Sequence, residues 1–119
     1  MNRDDLPLLS VGELAPLIKR KEVSPVELVR AYLDRIMKVD DKLHSYITVC
    51  SDEALADAAR AEKEISQGEY RGALHGIPVS VKDQFLTKGV RTTRGSRAYA
   101  NLVPEEDATV VARLKQAGS

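Results

Sequence analysis

The sequence has no tryptophan and a single cysteine, Cys50, among its 119 residues. One thiol permits no internal disulfide, which suits a reducing compartment, so the expected location is the cytoplasm. Aromatics are scarce, one phenylalanine and four tyrosines, which leaves little material for base stacking. No charge of either sign is in excess: 18 Lys and Arg face 18 Asp and Glu. That balance argues against a free-standing nucleic-acid binder, which carries a basic surplus. No apolar run approaches the roughly 20 residues of a membrane span, and Met1-Asn2-Arg3-Asp4-Asp5 leads into no apolar stretch of the secretory kind. Internal repeats and low-complexity tracts are missing too. What remains is ordinary globular material, 43% hydrophobic and 30% charged, in a length that suits one small domain.

Start and stop signals divide the first half into helices. Ser10-Val11-Gly12-Glu13 has capping-box spacing and opens a helix carrying Leu14, Leu17 and Ile18, with Pro16 placed to bend or shorten it. Ser24-Pro25-Val26-Glu27 is a stronger start, with cap, proline at the first helical position and glutamate three residues after the cap. The helix that follows collects Leu28, Val29, Tyr32, Leu33, Ile36 and Val39 on one side and is expected to close near Asp40-Asp41. Tyr46 to Cys50 reads as a short strand or extended connection. Ser51 or Asp52 then caps an alanine-rich helix, striped by Ala54, Ala58, Ala61 and Ile65, that ends at Gly68. From Gly72 the character changes. Ile77, Val79 and Val81 alternate as in a strand with one buried face, Thr92 to Ser96 reads as a loop, and Asp107 caps a last helix ending at Gly118. One strand makes no sheet, and the chain stops where an α/β protein places its next strand, so it reads as cut short.

Three segments carry more specific information. Leu74-His75-Gly76-Ile77-Pro78-Val79-Ser80-Val81-Lys82-Asp83, then Gly89-Val90-Arg91-Thr92-Thr93-Arg94-Gly95-Ser96, then Pro104-Glu105-Glu106-Asp107-Ala108-Thr109-Val110-Val111 resemble, in order, motifs of the amidase signature family. Ser24 to Val29, Leu33 to Ile36 and Ala54 to Ala56 also resemble the family's N-terminal helices. The resemblance runs from about Val11 to Gly118. It implies an α/β fold: an N-terminal helical arm over about 10–68, then a lysine-bearing strand, loop and helix over about 72–118, all part of one mixed-sheet domain of which 1–119 is the truncated N-terminal portion.

The resemblance also implies a Ser–cis-Ser–Lys amide hydrolase in which Lys82 is the base. Lysine serves as a base only when neutral, which requires burial or a neighbouring cation. The expected Lys82 is therefore buried in the intact enzyme, taking a proton through a bridging serine from a nucleophilic serine. Neither catalytic serine falls on this chain: Ser80, Ser96 and Ser119 do not match the family's positions, and the 119 residues alone are expected to be inactive. Gln84, where many members have asparagine, is a smaller departure.

Other candidates have plainer readings. Asp83 orients the loop or Lys82; His75 is a packed turn residue; Cys50 is a small hydrophobe. Two histidines and one cysteine share no ligand spacing, so no metal is expected, and no cofactor is implied. Gly89 and Gly95 lack the lysine and hydroxyl of a phosphate loop. Within the family two functions stay open: a stand-alone amidase acting on a small carboxamide, and the A subunit of glutamyl-tRNA(Gln) amidotransferase, which supplies ammonia from glutamine to partner subunits. A homo-oligomer fits the first, those partner subunits the second, and neither implies membrane or direct nucleic-acid binding. From another class, a non-catalytic interaction module would use the apolar faces of the helical arm.

Overall fold

A computed structural model describes residues 2–119. Among them are four α-helices: α1 (Val11–Lys19), α2 (Pro25–Leu43), α3 (Ser51–Ser66) and α4 (Thr109–Gln116), with 3-10 turns at Arg3–Leu8 and Arg97–Tyr99. The chain divides into two compact units, one running up to Pro78 and regaining Ala117–Ser119, the other Val79–Gln116. No described helix is long and apolar enough to cross a membrane.

The caps that open α1 and α2 are the expected ones. The Ser10 hydroxyl accepts the Glu13 amide while the Glu13 carboxylate accepts the Ser10 amide at 2.8 Å, a reciprocal box that satisfies two orphan donors. Pro16 lies inside α1 and leaves one bond to the preceding turn unmade; the helix ends after 9 residues, just before Lys21 in the left-handed region, φ 61°. Ser24 accepts the Glu27 amide at 3.0 Å and Pro25 takes the first helical position of α2. That helix passes Asp40 and Asp41 to Leu43 and ends on His44 in the left-handed region, φ 51°. Asp40 explains the overrun: its carbonyl accepts the His44 amide and its carboxylate the Ser45 amide, so the acidic pair ends up inside the last turn. α3 begins one residue after Cys50, without a side-chain cap, and Gly68 (φ 89°) follows its end.

These helices bury one shared face. Leu6, Leu14, Ile18, Val23, Leu28, Ala31, Ile65 and Ile77 form the core of the first unit, flanked by Leu9, Leu17, Tyr32 and Tyr70. The expected stripe of α3 is seen in buried Ala58, Ala61 and Ile65, with Ala54 half-buried, and the two buried alanines let α2 approach. At roughly 1.5–3 kcal/mol for a fully buried large aliphatic side chain, residues such as Leu14, Ile18 and Leu28 carry much of the unit's stability.

The expected strand does not form. No strand ladder exists among the described residues, and Ile77 alone of the alternating set is buried, Val79 and Val81 being exposed. A strand is defined by a repeating ladder of backbone hydrogen bonds to a neighbouring strand, and 77–81 joins no such ladder among the described residues. Tyr46 to Cys50 is likewise a connection rather than a strand.

Candidate functional site

Lys82 and Asp83 open a turn in the second unit. The Lys82 carbonyl accepts the amides of Gln84 (2.7 Å) and Phe85 (3.0 Å), so the chain reverses immediately after the lysine. Asp83 then ties this turn to residues 93–95. Its carboxylate accepts the Thr93 amide at 2.8 Å, the Thr93 hydroxyl and, at 3.4 Å, the Gly95 amide, while its carbonyl accepts the Arg94 amide at 2.7 Å. Thr92 and Thr93 are buried, whereas Arg91, Arg94 and Gly95 around them are exposed. The sequence reading of Asp83 as an orienting residue therefore holds for the loop.

Farther along, the Asp107 carboxylate accepts the Lys88 amide at 2.7 Å and pairs with the Lys115 ammonium at 2.8 Å. It braces the loop to α4 instead of serving simply as the helix cap that its position suggested. Arg94 lies over the Tyr99 ring, 5.2 Å from its centroid, in cation–π range.

Both aspartates are held below the ordinary carboxylate range. For Asp83 the leading cause is the hydrogen bond from the Thr93 hydroxyl, followed among the lowering effects by the amides of Thr93 and Gly95 and the Arg91 charge. For Asp107 it is the Lys115 ammonium, then the Lys88 amide. A carboxyl whose folded value is depressed contributes stability that is complete above the unfolded value, about 3.9, and lost as pH falls through the lower folded value. The Thr93 amide resonance is therefore expected to hold steady from neutral pH to about pH 4 and to shift only in more acid solution. A Thr93 shift that titrates near neutrality contradicts the Asp83 clamp.

Lys82 itself is exposed in this chain, and among the described residues no carboxylate pairs with its ammonium. Asp83, the nearest acid in sequence, is engaged by residues 93–95. His75, by contrast, is deeply buried in the first unit. Its Nδ1 accepts the Arg71 amide at 3.0 Å, which fixes the tautomer with the proton on Nε2, donated to Glu64 at 2.7 Å. Both ring nitrogens are thus spent on structure. Cys50 is half-buried, and burial, then Glu53, push its thiol pKa up, away from the reactive thiolate. No group of three or more His, Cys, Asp or Glu side chains suited to a metal occurs among the described residues.

Residues 27–119 match the family profile described as Amidase. The chain belongs to the amidase family. Curated relatives include the A subunit of glutamyl-tRNA(Gln) amidotransferase from Geotalea daltonii, 51% identical over 111 residues, which span 93% of this chain and 23% of that protein. The proteins of the same name from Salinispora arenicola and Carboxydothermus hydrogenoformans are 48% and 43% identical, each over 97% of this chain and 23% and 24% of their own lengths. Among solved structures, the crystal structure of PAM12A superposes with a TM-score of 0.87 at 36% identity, over 92% of this chain and 23% of that one. The chain thus spans about a quarter of the length of the family members it matches. The Asp83–Thr93 pairing, which sequence reasoning missed, falls inside the matched region; its only trace in the sequence is an acid and a hydroxyl ten residues apart.

Proposed function

We propose that these residues are the lysine-bearing N-terminal section of an amide hydrolase, and that glutamine is the amide. The observation that carries the reading is the placement of Lys82: a cation with no carboxylate partner among the described residues, beside an acid fully engaged elsewhere, on a turn braced by residues 93–95. No ion pair ties Lys82 to a carboxylate among the described residues. Glutamine is favoured over other carboxamides because relatives at 43–51% identity carry the glutamyl-tRNA(Gln) amidotransferase name.

In the proposed cycle the rest of the protein covers Lys82 and supplies two serines. Neutral Lys82 accepts a proton, relayed by the bridging serine, as the nucleophilic serine oxygen attacks the carboxamide carbon. The tetrahedral oxyanion is stabilised by backbone amides. It collapses to an acyl-enzyme as the C–N bond breaks and the lysine's proton returns to the departing nitrogen, releasing ammonia. Water then hydrolyses the ester. In the same whole protein, residues 77–81 gain neighbours as the first strand of a mixed sheet, completing the α/β fold, and partner subunits use the ammonia.

Ammonia release by the full-length protein carrying this chain tests the proposal. Glutamine is expected to yield ammonia with the partner subunits present, whereas the 119-residue polypeptide yields none. Release from simple carboxamides but not glutamine replaces the amidotransferase reading with that of a stand-alone amidase. Full-length protein inert toward both, with and without partners, overturns the enzyme reading.

A further inference from the structure

We infer that the Asp83 carboxylate and the Thr93 hydroxyl act as a pair that positions Lys82, an inference resting on the proposal that Lys82 is the base. Lysine is a poor choice where direction matters, since four methylenes let its amine wander. A base must nevertheless meet its proton within hydrogen-bond reach, and a displacement of about 1 Å can cost a hundredfold in rate. The first constraint available is the backbone from which the side chain leaves. Here that backbone is fixed directly after the lysine, by the two amides on the Lys82 carbonyl and by the main-chain and side-chain oxygens of Asp83.

Thr93 is the counterpart of this clamp. It is 4% exposed, and its hydroxyl donates to Asp83 while accepting the Gly95 amide at 3.2 Å. The segment it holds is strained at Arg94, φ 54°, and continues into Gly95 at 67°, which glycine adopts freely. A non-glycine residue in that region costs of order 1 kcal/mol, and such strain persists only where surrounding bonds impose it. The strain brings the amides of Thr93 and Gly95 round to one carboxylate. A second effect follows from the same bonds: with its oxygens occupied by 93–95, Asp83 forms no ion pair with the neighbouring Lys82.

The test uses the full-length enzyme and its glutamine-dependent ammonia release. Thr93→Val keeps the volume and removes the hydroxyl; it is expected to lower kcat by about 10- to 100-fold with KM within about threefold, and Thr93→Ser to restore most of the rate. In a Lys82→Ala background, Thr93→Val is expected to add no further loss, because a group acting through Lys82 has nothing left to act on. If Thr93→Val does not fold, Asp83→Asn takes its place in both backgrounds, turning an acceptor toward the Gly95 amide into a donor. A folded variant with unchanged kcat, or an undiminished loss in the Lys82→Ala background, overturns the positioning role and leaves the base assignment standing. A Lys82→Ala enzyme that keeps its rate overturns both.

Discussion

Lys82→Arg in the full-length enzyme is expected to lower kcat by about a hundredfold to ten-thousandfold, nearly as much as Lys82→Ala. The two substitutions differ in what they preserve. Arginine keeps the positive charge, the length and the donors of the side chain, and alanine keeps none of them. If Lys82 acts by binding an anionic group or by pairing with an acid, arginine rescues a good part of the function. If it acts by taking a proton, arginine fails, since the guanidinium stays protonated throughout the working range. The absence of any carboxylate partner for Lys82 among the described residues favours the second outcome. On the proposed mechanism the acid limb of the pH–rate profile reports the coupled Ser–Ser–Lys unit, and it is expected to disappear from the residual activity of both variants. Circular dichroism and melting must show both to be folded. A folded Lys82→Arg enzyme that keeps most of its kcat removes Lys82 from the role of base.

A large loss of stability is expected from Gly76→Ala. Gly76 has φ 78°, and a Cβ there meets the Pro25 ring at 2.6 Å and 3.1 Å. Pro25 is a poor neighbour to push: it is buried at the first position of α2, its ring is rigid, and Leu28 and Val29 of the same helix are buried in turn. The left-handed backbone costs an alanine roughly 1–2 kcal/mol, and overpacking of a tight site costs roughly 1–3 kcal/mol more. Gly68→Ala separates the two contributions. Gly68 has a similar φ, 89°, but nothing within 4 Å of its missing Cβ, so it bears the backbone cost alone. Urea denaturation is expected to show Gly76→Ala losing about 2–5 kcal/mol and Gly68→Ala about 1–2. Equal losses for the two contradict the close approach of Pro25.

The contrast between these glycines shows what the sequence disclosed and what it withheld. Local devices were readable because their partners sit three or four residues apart: Ser10 with Glu13, Ser24 with Glu27, the Ala58–Ala61–Ile65 stripe, Gly68 behind α3. The contact of Gly76 with Pro25 joins residues some fifty positions apart and leaves no periodic trace. The same holds for Asp83 with Thr93, Glu64 with His75, and Asp107 with Lys115, each of which leaves a polar residue that looks like ordinary surface in the sequence. The alternation of Ile77, Val79 and Val81 announced a strand because pattern reports a residue's preference for a pleated, half-buried surface. A ladder needs a second segment, and preference cannot provide one. Lys82 stood out as a candidate only through motif resemblance; the bonds around it had to be seen.

The return of the chain at Gly118 has a consequence for how such proteins diverge. The Gly76 amide donates to the Gly118 carbonyl at 2.8 Å and the Ser119 hydroxyl to the Ile77 carbonyl at 2.7 Å, so the two ends of the 79–116 excursion are stapled to each other within the first unit. An excursion with adjacent ends behaves as a cassette. Lengthening it costs little in closure entropy, about 0.6 kcal/mol per doubling, and its contents can be exchanged without moving the helices that hold its roots. Only the residues at the staple are constrained from both sides: Gly118, where a Cβ falls 2.4 Å from the His75 ring, and Gly76, where it strikes Pro25.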